Sequence, residues 1–213
     1  MAQLTHKIKS ISPQKRTKHR FNITLESGDV FGISEDVFIS ENIAKGQEFT
    51  TTQLDNLLEK ESVQKIKFKV INLLSYRHRS RNELFKRLVD KGHDKNVILD
   101  VLDDLTEKGY INDKEFAVVM IQHLVTQKQL GRRAVIHELM KHQLDPTMVE
   151  TILDRILVEY PPEKTIVSII EKRMKTRQKN LKEKHRLISF LNRKGYFWHD
   201  FEQAIQSIEW REE

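Results

Sequence analysis

The chain has 213 residues, 32% of them charged and 8% aromatic, with seven Gly, four Pro and no Cys. This length can bury a real core in one or two domains, while the lack of Cys excludes a disulfide framework and thiolate metal sites, and the scarcity of Gly and Pro argues against a loop-rich all-β fold. Lys and Arg number 37 against 31 Asp and Glu, a formal net charge of +6, which points towards acidic partners without choosing among them.

Residues 4 to 33 read as strands. Ile8 and Ile11 lie among β-compatible polar residues, and Phe21, Ile23 and Leu25 alternate with Asn22, Thr24 and Glu26 at the period of a half-buried strand. Ser27-Gly28-Asp29 signals a turn, and Val30 to Ile33 returns. Ser34, followed by Glu35 and Asp36, opens a short helix expected to close near Lys45-Gly46. A sheet of this size with one helix is too small to be stable alone and should lean on the helices C-terminal to it. From about Thr50, Leu54, Leu57, Leu58, Val63, Ile66, Val70, Ile71 and Leu74 run without Gly or Pro, as one long helix or two joined near Ser62.

The stretch from Arg77 to Phe116 holds the unit that the rest of the chain repeats. Ser80 stands at an N-cap with Glu83 three residues on, Leu84, Phe85 and Leu88 share a helical face, and Gly92 supplies a left-handed stop. Asp94 caps a second helix carrying Val97, Ile98, Val101, Leu102 and Leu105; Gly109 ends it, and Asn112-Asp113 caps the next. Downstream, Val135, Ile136 and Leu139, then Met148, Val149 and Ile152, repeat the pattern, and Leu187, Ile188 and Leu191, then Gly195, Phe201, Ala204 and Ile205, repeat it again. Pro161-Pro162 suits a helix start.

The predicted fold is therefore mostly α: tandem three-helix repeats of about fifty residues forming an elongated array, preceded by a small N-terminal β-sheet with a short helix. The expected divisions are 1–50 for the β-rich extension and 51–113, 114–160 and 161–213 for the three repeats.

Basic residues gather at the joints of these repeats. Lys7 to Arg20 holds Lys7, Lys9, Lys15, Arg16, Lys18 and Arg20 with no acid, and Lys172 to Arg186 holds eight Lys and Arg against Glu183. The joints at Tyr76 to Arg81, Gln127 to Arg133 and Thr176 to Lys182 are all basic. Stacked in register, they would line one edge with positive charge and approach nucleic acid; alternatively, helix C-termini simply attract cations. The candidate polyanion contacts are Arg77, Arg79, Arg81, Arg132, Arg133, Lys175, Arg177, Lys179 and Lys182.

Catalytic signatures do not surface. The sequence has no Gly-rich phosphate loop, GxSxG or HExxH, and its nine His form no ligand pair beside a carboxylate, so neither metal nor cofactor is expected. Asp100, Asp103 and Asp104 read as an acidic patch that is solvated or contacts a basic partner. Tyr196, Phe197, Trp198 and Trp210 are positioned either to stack bases or to pack the last repeat, with Phe197 and Phe201 on one helical face. No apolar run approaches the roughly 20 residues of a membrane span, and the N-terminus lacks a signal-peptide core, so the expected location is cytoplasmic.

Arg79-Ser80-Arg81-Asn82-Glu83-Leu84 with Leu88 and Gly92, then Leu105 and Gly109 to Ala117 (GYINDKEFA), resemble the signature of the RecX regulatory family. Gly131-Arg132-Arg133 with Ile136, Glu138 and Leu139 resembles the start of its second repeat, and Leu4 to Gly46 is similar to the N-terminal extension of Firmicute-type members. Two departures stand out: Gln143 where a Gly is usual, and Glu183 where the second repeat has Gly131. The resemblance implies a regulator that binds the RecA recombinase–DNA filament and inhibits its ATPase and strand exchange. It also implies direct, non-specific binding to single- and double-stranded DNA. The lack of catalytic motifs makes a non-enzymatic protein the expectation, and a monomer is expected. A competing reading is a sequence-specific regulator of helix-turn-helix type, with His93-Asp94-Lys95-Asn96 as the base-reading segment.

Overall fold

The structure is a computed structural model describing residues 5–15 and 17–211; Leu4 of the first predicted strand and Arg16 of the first basic run lie outside the described residues. Alternating apolar residues build an antiparallel sheet from β1 (Thr5–Pro13), β2 (Arg20–Leu25), β3 (Val30–Ser34) and β4 (Glu48–Thr50), in the order β3-β2-β1-β4. Ile8, Ile23, Leu25 and Ile33 point inward and are covered by Val37 of α1 (Glu35–Ser40), Ile43, Phe49 and Leu57. Phe21 stacks on Phe38 with ring centroids 4.5 Å apart. The short helix stops at Ser40, before Lys45-Gly46, because Asn42 takes the left-handed conformation (φ 47°) that ends it.

The sheet leans on α2 (Thr51–Leu74), a single helix opened by a capping box between Thr50 and Gln53. Besides Leu54 and Leu57, which join the sheet's core, α2 supplies Glu61, only 2% exposed. Its carboxylate accepts from Arg20 Nη2 at 2.6 Å and from the Ser34 N–H at 2.7 Å. A buried charge with a cationic partner and a backbone donor ties the sheet to the helix.

Eight further helices complete the described residues: α3 (Arg81–Val89), α4 (Lys95–Glu107), α5 (Asp113–Thr126), α6 (Arg132–Met140), α7 (Pro146–Glu159), α8 (Pro162–Met174), α9 (Leu181–Arg193) and α10 (Trp198–Gln206). Their starts obey the caps. Ser80 Oγ accepts from the Glu83 N–H at 3.1 Å, Asn112 Oδ1 from Glu115 at 3.0 Å, Asp145 from Met148 at 2.6 Å, and Asn180 from Glu183 at 3.0 Å. Each of three cores draws on three consecutive helices. Ile66, Leu84, Leu88, Ile98 and Leu102 fill that of α2–α4; Ile121, Val135, Leu139 and Leu153 that of α5–α7; and Ile166, Leu187, Leu191, Phe201 and Ile205 that of α8–α10. In the middle repeat, Gln143 adopts φ 54°, the conformation that Gly92 (φ 78°) and Gly195 (φ 88°) take in the other two.

The chain divides into two compact units, Met1–Arg77 with Leu84–Ile111, and His78–Glu83 with Asn112–Glu213. Within the second, segment 78–83 is held by its own neighbours. The Arg81 N–H reaches the Asp113 carboxylate at 2.8 Å, Asn82 Nδ2 the Lys141 carbonyl at 3.1 Å, and Ser80 Oγ lies 3.0 Å from His142 Nδ1.

Candidate nucleic-acid interface

Several arginines of the basic joints have partners within the protein, whereas the lysines of the α8–α9 turn face water. Arg79 and Glu83 form an i,i+4 pair at the start of α3, the Arg79 side chain only 10% exposed. Arg81 is the first residue of that helix, and Arg77 is exposed beyond the end of α2. Arg132 pairs with Asp154 of α7. Arg133 donates to the carbonyls of Asn192 (2.9 Å) and Tyr196 (3.5 Å), its guanidinium 5.5 Å from the Phe197 ring centre. Arg177 donates to Glu183 at 2.7 Å while Arg186 binds the other carboxylate oxygen. Those two guanidinium hydrogen bonds hold the Glu183 carboxyl below its usual pKa. Lys175, Lys179 and Lys182, by contrast, are exposed around the α8–α9 turn. Of the nine sequence candidates, Arg79, Arg132, Arg133 and Arg177 thus have assigned structural partners, and the three lysines are exposed.

The joint before α6 is sewn to the turn after α9. The N–H groups of Gly131 and Arg133 donate to the carbonyls of Lys194 (2.9 Å) and Gly195 (3.1 Å). In return Lys194 Nζ donates to the Lys128 carbonyl (2.7 Å) and the Tyr196 hydroxyl to that of Gln129 (3.1 Å). Orphan donors at a helix start thereby find acceptors in the neighbouring repeat. Burial pushes the Tyr196 hydroxyl up to about 12, with Asp200 adding to it. Tyr196 and Phe201 pack in the core, and Trp210 Nε1 donates to the Ile205 carbonyl at 2.9 Å. Phe197 and Trp198 remain 37% and 45% exposed, so the predicted shared face of Phe197 and Phe201 does not form. Phe197 precedes the helix and donates its N–H to Asp200 at 2.7 Å.

A further cationic group, absent from the sequence candidates, lies on α2 and the α3–α4 turn. Lys69 Nζ lies 2.7 Å from His93 Nε2, and Lys65 and Lys91 add charge around them. Burial first, then the neighbouring lysines, lowers the pKa of both Lys69 and His93. Phe68 is 75% exposed on the same helix. The helical spacing of Lys65, Phe68 and Lys69 was the available signal, masked by the long apolar run in which it sits.

The acidic patch is partnered rather than bare. Asp104 binds Lys108 at 2.6 Å and Lys67 at 2.8 Å, and these bonds lower its pKa. Among the described residues no group of three His, Asp or Glu is arranged to hold a metal ion, and no helix is long and apolar enough to cross a membrane.

Residues 67–105 match the family profile described as "RecX, first three-helix domain". The chain is 34% identical over 198 residues to a protein of Bacillus cytotoxicus named "Regulatory protein RecX", an alignment covering 89% of this chain and 72% of that one. A Bacillus cereus protein of the same name is 35% identical over the same coverage. Among solved structures, one titled "Crystal structure of regulatory protein RecX" superposes with a TM-score of 0.68 at 20% identity, covering 95% of this chain and 100% of that one. RecX from Lactobacillus salivarius gives 0.57 at 21% identity, covering 69% and 96%.

Proposed function

Since the chain belongs to the RecX family, we propose that it is a cytoplasmic, non-enzymatic, monomeric regulator that binds the RecA recombinase–DNA filament and lowers its ATP hydrolysis and strand exchange. The observation that carries this reading is one-third identity to proteins named as RecX regulators across 89% of the chain. Exposed lysines at the α8–α9 turn suit phosphates of either single- or double-stranded DNA. The division into an extension (1–50) and three repeats (51–113, 114–160 and 161–213) is proposed on the three cores.

The test is the single-strand-dependent ATPase of the cognate recombinase. The purified chain should inhibit it at up to stoichiometric amounts; unchanged hydrolysis with the filament formed would defeat the proposal. Binding to matched duplexes of one and of random sequence separates it from a sequence-specific regulator. Salt-sensitive affinity without sequence preference is the expected result.

A further inference from the structure

Lys65 and Lys69 of α2 gather with Lys91 and His93 of the α3–α4 turn. Some lysines meet a carboxylate: Lys7 with Glu48 (3.3 Å), Lys60 with Glu41 (2.7 Å), Lys67 with Asp104 (2.8 Å) and Lys141 with Glu138 (2.8 Å). Lys65, Lys69, Lys91 and His93 instead face one another. The one partner of Lys69 Nζ among the described residues is a neutral acceptor, His93 Nε2 at 2.7 Å. The charges felt by this pair are the lysines themselves. Two acids share the turn: Asp94 is committed to capping α4, accepting from Asn96 at 2.8 Å and Val97 at 3.2 Å, and Asp90 is exposed beside Lys91 in sequence. Gathering like charges with no carboxylate paired to them disfavours the folded state. It becomes favourable once an anion with several acceptor oxygens enters.

The second observation concerns shape and is independent of charge. Lys65, Phe68 and Lys69 share one helical face, and Phe68 is 75% exposed. Tyr76, 78% exposed, comes about two turns further on, just past the end of α2. Aromatic rings lying open beside a row of cations form a platform on which bases stack while the backbone tracks the charge. A duplex offers phosphates to the lysines but keeps its base faces stacked away from the rings, so the arrangement favours a strand whose bases are free.

We propose that this face is a single-stranded nucleic-acid site, in which Lys65, Lys69, Lys91 and His93 hold backbone phosphate while Phe68, followed by Tyr76, stacks unpaired bases. It specifies the DNA-binding part of the function proposed above, and its test contains no recombinase. A protein that binds oligonucleotide through these residues yet leaves the recombinase ATPase unchanged would refute the regulator reading alone.

The experiment is fluorescence anisotropy of labelled oligo(dT) and of a duplex of equal length, with the full chain and two sets of variants. Phe68→Ala is expected to weaken oligo(dT) binding at least about fivefold and to leave duplex binding within twofold. Lys65→Gln/Lys69→Gln/Lys91→Gln should lower the magnitude of the salt slope on oligo(dT) by about 2. Both sets change surface positions, and an unaltered circular dichroism spectrum and melting temperature establish that folding is intact. If Phe68→Ala binds oligo(dT) like the parent chain, or weakens duplex and single strand equally, the stacking site is wrong. Should a misfolded lysine triple result, Lys65→Gln alone replaces it, with an expected slope change of about 0.7; no change overturns the phosphate assignment. Inorganic phosphate at millimolar concentration should compete only weakly, and full competition would mean that an isolated anion, not a strand, is the ligand.

Discussion

Gly131 and Gly195 meet backbone to backbone. A Cβ placed on Gly131 would lie 2.6 Å from the carbonyl carbon and oxygen of Gly195 and from the Tyr196 nitrogen; one on Gly195 would lie 2.4 Å from Ala134. Neither encounter is with the end of a flexible side chain, so relief requires the α6 start or the α9–α10 turn to move, breaking the exchange of hydrogen bonds between them.

Gly131→Ala should therefore destabilise the chain by about 1–3 kcal/mol, the range for overpacking a closed contact. Gly109→Ala is the control. Gly131 has an ordinary φ (−78°), so its cost comes from the contact, whereas Gly109 has a positive φ (76°) and its Cβ would meet nothing within 4 Å, so its cost is conformational only. Urea unfolding of the two variants checks this. An unchanged urea midpoint in Gly131→Ala would mean that the contact between the glycines contributes nothing of its own.

Glu61→Ala removes the acceptor shared by Arg20 and the Ser34 N–H. The pair is well inside the protein, with side chains 19% and 3% exposed, and breaking one side strands the other. A loss of about 3–5 kcal/mol is expected, felt first by the sheet. Hydrogen exchange should show β2 and β3 amides losing protection before those of α9. Glu61→Gln, which keeps an acceptor, should fall between the parent chain and Glu61→Ala.

The parts of the fold legible in sequence are those written locally. Ser80, Asp94 and Asn112 cap helices as their residue types require, and Gly92, Gly109 and Gly195 take the left-handed turns. β4 was not legible because Glu48–Thr50 is too short to show alternation and becomes a strand only by pairing with Thr5 to Lys7. The start of α9 lies one turn before the position equivalent to Gly131, because Asn180 provides a cap there. For the candidate interface the limit is different. Sequence shows that Arg133 is basic but not that two carbonyls from the next repeat await it. A cation's partner is a tertiary fact, so a basic joint read in one dimension mixes clamps with contacts.

Stability should depend on pH through His93. Burial and then Lys69, Lys65 and Lys91 lower its pKa from the ordinary 6.5, so the unfolded chain takes up this proton at higher pH than the folded one. In that window the unfolded state binds more protons, and stability rises with pH. Lowering the pH from about 7.5 to 5.5 is thus expected to lower the urea midpoint, the loss beginning near the unfolded pKa. His93→Gln retains an acceptor for Lys69 and should flatten this part of the profile. A variant with the parent's pH dependence would remove His93 as its source.

Gln143→Gly is expected to stabilise. Gln143 holds φ 54° where the equivalent turns use Gly92 and Gly195; a side chain there costs about 1–2 kcal/mol, partly offset by the extra freedom of an unfolded glycine. A net gain of about 0.5–1 kcal/mol should appear as a higher thermal midpoint with the same spectrum. A fall would show that the Gln143 side chain contributes contacts exceeding its backbone strain.

Exposed lysines and structural arginines should respond differently to replacement. Lys175→Ala/Lys179→Ala/Lys182→Ala touches only solvent-facing side chains at the α8–α9 turn, so the melting temperature should hold while duplex affinity falls and the salt slope shrinks by up to about 3. Arg133→Ala withdraws donors from the Asn192 and Tyr196 carbonyls and a cation from the Phe197 ring. It should lower stability by about 1–3 kcal/mol and leave the salt slope of the remaining folded protein unchanged. Measuring both quantities on both variants makes the assignment reversible. A slope that changes with Arg133 instead of the lysines would return that arginine to the interface and turn the lysines into ornaments of a helix end.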